Sequence, residues 1–340
     1  MKKRVALCSK YFGYAVGGAE QSTLQMLLDL EAQGHQIVIL RNRSPKHFGA
    51  GARKMKLPES WIIRDFSLPA DFLRFRYLEY LLNRSALRRL ANEVADADML
   101  LSYGFEAPAV LAAFQGKKRY ILRDEYGLGW MRNYEAGKAR LAYGLYIALE
   151  FIPRLIWKRD LRGALSRAEA VANSEFMASS LQREYGVDSV RVVLPDIDSK
   201  ALKSQFESTL PQVGKRGVVF VGDNRLKGVD IAIRIARALP DQQFYFFARK
   251  KLTGLPENVT AMPWASPGAV YAHAEAVIVP SRWHEAYGRI VAEALSLGVP
   301  TIISDRGGLT EAGAGRARVI SDLEDMPGWV SQIGNALNSK

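Results

Sequence analysis

Two carboxylates, Glu285 and Glu293, stand eight positions apart in the run VIVPSRWHEAYGRIVAEALSLGVPTIISDRGG, residues 277–308. The apolar, β-rich segment AVIVP predicts a buried strand that ends near Pro280. Ser281 to Ala286 then form a loop, and a helix starts near Tyr287 or Gly288. Glu285 therefore sits in the loop at the strand's carboxyl end, and Glu293 lies in the second helical turn, at least one pitch of about 5.4 Å further on. Gly288 lets a ligand approach the backbone, and the N–H groups of Tyr287 to Ile290 are free donors at a helix start. Such an arrangement suits an elongated ligand. One end would meet Glu285, phosphates would meet the N–H groups and Arg289, and hydroxyls would meet Glu293. The competing reading is structural, because Arg289 and Glu293 are an i,i+4 pair that can form an ordinary surface ion pair.

Other loops at predicted strand ends carry similar chemistry. The first strand runs into SKYFGYAVGGAEQS, where Gly17 and Gly18 precede a helix opening near Ala19. A phosphate or an acidic acceptor group suits that N-terminus; a tight glycine turn explains it equally well. The strand VVFVG ends at Gly222, and DNRLKGVD follows. Arg225 and Lys227 beside a helix start suit a diphosphate, which Arg holds bidentately, or are simply two surface cations. Gly307 and Gly308 loosen a further loop, SDRGGLTE.

These loops need a scaffold, and the apolar pattern supplies one. RVALC, the helix AEQSTLQMLLDLEAQGH and QIVIL form a βαβ unit, with DMLLS (98–102), RYILR (119–123) and EAVAN (169–173) as further strands. The polar stretch LPDIDSKALKSQFESTLPQVGKRG marks a junction. After it come VVFVG (218–222), QFYFFA (243–248), EAVIVP (275–280) and PTIIS (300–304), again alternating with helices. The expected fold class is α/β: two Rossmann-like, doubly wound domains facing a cleft between them. The expected boundaries are residues 1–195, 196–325, and a terminal helix over 326–340 that packs back on the first domain. A chain of 340 residues suits two domains.

With Lys plus Arg at 47 against 35 acids, the net charge is 47 − 35 = +12, which favours anionic partners. A single cysteine, Cys8, excludes a disulfide within the chain and a cysteine zinc site, and fits a reducing, cytoplasmic setting. No signal peptide and no spanning segment are expected.

The run PSRWHEAYGRIVAEALSLGVPTIISDRGGLTE resembles the signature of the retaining glycosyltransferases of family 4, which have the GT-B fold. Its hallmark is Glu, seven residues, Glu, with an aromatic-Gly after the first; here these are Glu285, Tyr287, Gly288 and Glu293. VGGAE with GHQIVIL, FVGDNRLKGVD and AVANSEFMASSLQREYG resemble further segments of the family. The resemblance implies an acceptor-binding first domain and a nucleotide-sugar-binding second domain. It implies that Glu293 holds the ribose, that Glu285 contacts the transferred sugar, and that Arg225 and Lys227 stabilise the leaving diphosphate in place of a metal. The donor is then a substrate, and no cofactor is expected. Gly17, Gly18, Gly222, Ala286 and Arg289 complete the nucleotide-sugar set. Two departures stand out. Asp223 follows Gly222 where the family usually has Arg, and none of the four His occupies the family's place in the first domain. The comparable strand offers Asp124 or Glu125 to orient an acceptor hydroxyl or take its proton, unless they serve as a helix cap or an ion pair with Arg123.

The expected acceptor is a glycan or lipid-linked precursor of cell-surface polysaccharide, lipopolysaccharide or glycolipid. Two basic, aromatic segments, 71–94 and 138–165, would rest on an anionic membrane through residues such as Tyr146 and Trp157, or would simply be core helices with solvated Arg. No nucleic-acid recognition motif accompanies the charge. Two α/β domains also suit a dinucleotide oxidoreductase, but the G-x-G-x-x-G spacing it requires is missing. The remaining alternative is a non-catalytic scaffold that keeps the fold and binds a nucleotide or a membrane.

Overall fold

A computed structural model of the chain describes residues 3–14, 18–42, 55–70, 75–129 and 140–338. The chain divides into two compact units, with the boundary between Leu194 and Pro195.

In the first unit, β1 (Arg4–Cys8), α1 (Gly18–Ala32), β2 (Gln36–Asn42) and β3 (Ile62–Phe66) are followed by α2 (Arg76–Arg89), β4 (Met99–Ser102), α3 (Ala107–Ala113) and β5 (Lys117–Leu122). Then come α4 (Arg140–Leu165), β6 (Glu169–Ala172), α5 (Glu175–Tyr185) and the short β7 (Arg191–Val192). The sheet order is β3-β2-β1-β4-β5-β6-β7, and every pairing is parallel. Parallel strands are covered on both faces, which explains why β1 and β2 read as unbroken apolar runs. Val5, Leu7, Ile37, Ile39, Leu101 and Ile121 form one layer of core with Leu27 of α1.

The second unit contains α6 (Ser199–Thr209), β8 (Gly217–Val221), α7 (Val229–Ala238), β9 (Phe244–Ala248) and β10 (Val259–Pro263). It continues with α8 (Pro267–Ala272), β11 (Ala274–Val279), α9 (Arg289–Ser296), β12 (Thr301–Ser304), α10 (Leu309–Gly313), β13 (Arg318–Ile320) and α11 (Met326–Leu337). Its six parallel strands are ordered β10-β9-β8-β11-β12-β13. Both sheets are therefore Rossmann-like. In each, strand order reverses beside the first strand, at β1/β4 and at β8/β11, and ligands in such sheets bind at the carboxyl ends on either side of that switch.

The sequence reading sets residues 326–340 apart as a terminal helix that packs back on the first domain. In the structure α11 is part of the second unit's core: Trp329 and Ile333 are fully buried against Ile231, Ile278 and Ile302. The reason is its apolar inward face, which closes the same layer as α7. A second revision concerns α4. Trp157 is fully buried, and its indole N–H donates to the Phe105 carbonyl at 2.8 Å, while the Tyr146 ring packs on Phe75. Trp157 is therefore a core residue and not available to a membrane.

Candidate active site

At the switch point of the second sheet, β8 and β11 release their chains side by side. After β8, Asn224 caps a single 3-10 turn, Arg225–Lys227, by accepting the Lys227 N–H at 3.1 Å. Gly228 then starts α7 with φ of 78°, and a Cβ there would stand 1.9 Å from the Pro280 carbonyl oxygen. Only glycine lets the two loops approach this closely. The Leu226 carbonyl accepts the N–H groups of Arg282 and Trp283 at 2.9 and 3.1 Å, which locks the loop after β11 onto the turn after β8.

That interlock brings Lys227 to Glu285. The ammonium nitrogen lies 2.7 and 2.9 Å from the two carboxylate oxygens, and the Ser281 hydroxyl donates to Oε1 at 2.9 Å. The Glu285 side chain is 14% exposed and that of Lys227 is 39%, so the pair opens to solvent from the lysine side. The Glu285 backbone is fixed from β12 as well: it bridges Gly307, and its carbonyl accepts the Gly308 N–H at 2.7 Å. Gly307, at φ of 67°, and Gly308 leave no room for a side chain against residues 284–287. Gly222 is similarly confined, since a Cβ would stand 2.8 Å from Lys227 Cβ.

Arg225 is turned elsewhere. Its guanidinium lies 3.7 Å from Asp230, which also takes Arg282 at 2.8 Å. Beyond Gly288, whose φ is 114°, α9 presents Arg289 and Glu293. Glu293 is buried, at 6% exposure, and both oxygens are engaged: Arg289 lies 3.1 Å from Oε1, and the Tyr271 hydroxyl donates to Oε2 at 2.9 Å. Burial raises the Glu293 pKa above the carboxylate range, with Arg289 opposing the shift. The i,i+4 pair weighed from the sequence is therefore real, but it is half-buried rather than a solvated surface pair. Ala286 and Tyr287 link these two polar groups, and Tyr287 packs on the apolar layer around Val279 and Leu309.

Gly18 and Asp124 are residues of the first unit. Gly18 opens α1, and its carbonyl accepts the Ser22 hydroxyl at 2.9 Å; Gly17 lies outside the described residues. Asp124 caps the 3-10 turn Glu125–Leu128 by accepting the Gly127 N–H at 3.0 Å. Of the two acids for which a helix cap was the structural alternative, Asp124 is the cap, while Glu125 is buried. Three contributors escaped the sequence reading. Ser281 had a local signal, since it directly follows the strand end. Arg282, which shares Asp230 with Arg225, and Tyr271, 22 residues before Glu293, had none, because only the tertiary fold brings them in. Among the described residues, no group of three or more His, Cys, Asp or Glu could hold a metal ion.

Comparison with known proteins adds the family. A family model described as Glycosyltransferase Family 4 matches residues 16–200, and one described as Glycosyl transferases group 1 matches residues 215–339. The chain belongs to glycosyltransferase family 4. No curated protein sequence matches it. Among solved structures, a sucrose-phosphate synthase from Thermosynechococcus elongatus is similar over 99% of this chain and 90% of its own, with a TM-score of 0.73 at 14% identity. WaaG, a glycosyltransferase involved in lipopolysaccharide biosynthesis, is similar over 98% and 94%, at 0.63 and 15%. Anabaena Alr3699/HepE, solved with UDP and glucose, is similar over 98% and 94%, at 0.61 and 14%. At these identities the structural likeness establishes a GT-B fold, and the family assignment rests on the sequence models.

Proposed function

We propose that this family 4 glycosyltransferase transfers a sugar, with retention of anomeric configuration, from a nucleoside-diphosphate sugar to an acceptor hydroxyl in cell-surface glycan or glycolipid synthesis. The observation that carries the reading is the Lys227–Glu285 pair, held at the topological switch point by an interlock of two strand-end loops. A cation beside the departing diphosphate supplies the charge stabilisation that this chemistry demands above all. In the donor complex, the Lys227 ammonium would turn part of its hydrogen bonding from Glu285 to the diphosphate, leaving a Glu285 oxygen to accept a sugar hydroxyl. Glu293, fixed by Tyr271 and Arg289, would accept the ribose hydroxyls. Departure breaks the bond between the anomeric carbon and the diphosphate oxygen. The acceptor oxygen bonds to the same carbon on the same face, and its proton passes to the leaving oxygen. Lys227 supplies the positive charge that a metal supplies elsewhere, so the reaction is proposed to be metal-independent, and Arg225, expected from the sequence to share that role, stays engaged with Asp230.

Supporting donor chemistry of this class, the Anabaena relative has been solved with UDP-glucose. The test is a thermal-shift screen over nucleoside diphosphates and their sugars, UDP-glucose among them, followed by transfer assays with the donor that binds. A selective donor raises apparent stability by mass action. A second reading, a non-catalytic scaffold, is favoured by Asp223 in the diphosphate turn and by the engagement of Arg225 with Asp230. A donor that binds but is neither transferred nor hydrolysed would select the scaffold.

A further inference from the structure

Helix α4 turns both of its acids inward, with Trp157 and Leu161, and four other large apolar side chains outward. It carries two acids, Glu150 and Asp160, and both are buried. Glu150 accepts the N–H groups of Tyr77 and Leu78 at 2.7 and 3.3 Å and so caps the start of α2. Asp160 accepts the Tyr80 hydroxyl at 2.7 Å and the Arg84 guanidinium at 2.8 Å. On the outward side, Leu149, Phe151, Ile152 and Leu155 are 49, 48, 58 and 45% exposed. Positions 152, 155, 159 and 162 follow helical spacing, so Ile152 and Leu155 share a stripe with the exposed Arg159 and Arg162; exposed Arg167 lies just past the helix end. Scattered exposed apolar residues are ordinary, but four within seven positions of one helix form a contiguous patch that water solvates poorly.

The charge around the patch selects its occupant. The outward face of α4 carries apolar groups and arginines and no acid, in a chain of net charge +12. A second copy would set like charges against each other. A bilayer with anionic headgroups satisfies both halves of the stripe, because apolar side chains sink roughly 5–10 Å into the headgroup boundary while the arginines are attracted to the negative surface. We infer that the outward face of α4, centred on Ile152 and Leu155 and flanked by Arg159 and Arg162, docks the chain on an anionic lipid surface. The helix lies on the membrane and does not cross it; among the described residues no helix is long and apolar enough to span. The inference does not depend on the identity of the donor.

The test is co-sedimentation of the full chain with phosphatidylcholine vesicles, with and without about a third phosphatidylglycerol. The parent should bind anionic vesicles at least ~10-fold better than neutral ones, and added salt should weaken it. Ile152→Glu with Leu155→Glu should cost at least ~10-fold in partitioning, as should the milder Ile152→Gln with Leu155→Gln. Arg159→Glu with Arg162→Glu should remove the preference for anionic lipid. Val319→Glu, at an exposed apolar residue of the second unit, should bind like the parent. Circular dichroism, thermal midpoint and nucleoside-diphosphate affinity of each variant should match the parent, which separates lost docking from lost folding and from any failure of the donor assignment. The inference is overturned if the parent does not sediment with anionic vesicles, if the α4 variants bind as well as the parent, or if the parent is a dimer that these substitutions dissociate.

Discussion

Glu285 and Glu293 are held in different settings, and this governs what their removal does. Glu293 is buried and receives two donors, so replacing it by Ala leaves the Tyr271 hydroxyl with the Ile290 carbonyl and the Arg289 guanidinium with the Asp196 carbonyl, each at 3.2 Å, as well as removing the ribose acceptor. Glu293→Ala should weaken nucleotide binding ~10–100-fold, the worth of one or two hydrogen bonds to a charged group, as titration calorimetry with the nucleoside diphosphate would read. Glu285 sits at the solvent-accessible pair with Lys227, so Glu285→Ala should leave diphosphate affinity within a few-fold while cutting kcat by at least ~100-fold. Equal transfer rates for parent and both variants would refute these assignments. Tyr271→Phe isolates positioning: it keeps the ring and deletes the donor, so donor Kd should rise by about 3–10-fold with little change in kcat. The first sheet buries a glutamate at its own switch point, where the Glu106 carboxylate accepts the Lys10 backbone N–H at 2.6 Å while the Lys10 ammonium pairs with Glu79. Burial raises the Glu106 pKa to about 7, opposed by the Lys10 backbone and by the charges of Lys10 and Arg76. The unfolded chain releases this proton near pH 4.3, well before the folded chain does, so the contribution of Glu106 falls as pH rises between those values. Glu106→Gln should flatten the loss of stability between pH 5 and 7.5 in denaturant titrations; an unchanged slope would assign that loss to other groups.

At the scale of elements, the turn after β8 and the loop after β11 form one device, and Gly228 is its pivot. Gly228→Ala places a methyl group against the Pro280 carbonyl at a φ that L-residues rarely adopt. It should destabilise the second unit by about 2–4 kcal/mol and lower donor affinity with it, measured by chemical denaturation and calorimetry. Gly186→Ala, also at positive φ but with open space around its Cβ position, is the control for backbone strain alone and should cost about 1 kcal/mol. The same elements show what the sequence made legible. Central strands such as β1, β8 and β11 are covered on both faces, so their apolar runs stand out. The four strands absent from the sequence reading, β3, β7, β10 and β13, are the outer strands of the two sheets. Each has a partner on one side only and keeps polar or exposed positions, as in Ile62–Phe66 and Val259–Pro263, so no continuous run marks it. The loop positions of Lys227, Glu285 and Gly288 were readable because strand ends and glycines are local signals. The Tyr271 hydroxyl that helps hold Glu293 was not, because it lies 22 residues earlier and reaches the carboxylate through packing between elements. The assignment of Trp157 to a lipid surface failed for the same reason: aromatic and basic residues at helical spacing mark an amphipathic helix without saying which face is covered, and here the indole faces the core.

The whole molecule contains two sheets with separate cores, and the proposed donor contacts Lys227, Glu285 and Glu293 all belong to the second. Ligand binding by one unit stabilises that unit by RT ln(1 + [L]/Kd), whereas charge and packing in the other enter only through whatever coupling exists. Scanning calorimetry of the full chain should therefore resolve two transitions, each with its own enthalpy. A saturating nucleoside diphosphate at ~100 times its Kd should add about 2.7 kcal/mol to the second unit, moving one transition up by several degrees. Trp329 is sealed in the second core by Ile333 and α7, and Trp157 in the first by Tyr77, so each core holds its own fluorescent reporter. Replacing Trp157 with Phe should reduce the signal change of the transition that the ligand leaves in place, with buried Trp61 of the same unit supplying the remainder. In Glu293→Ala the ligand should move neither transition. A single transition that the nucleotide raises as a whole would mean that the two cores melt as one cooperative block, and the energy of donor binding would then be shared across the entire chain.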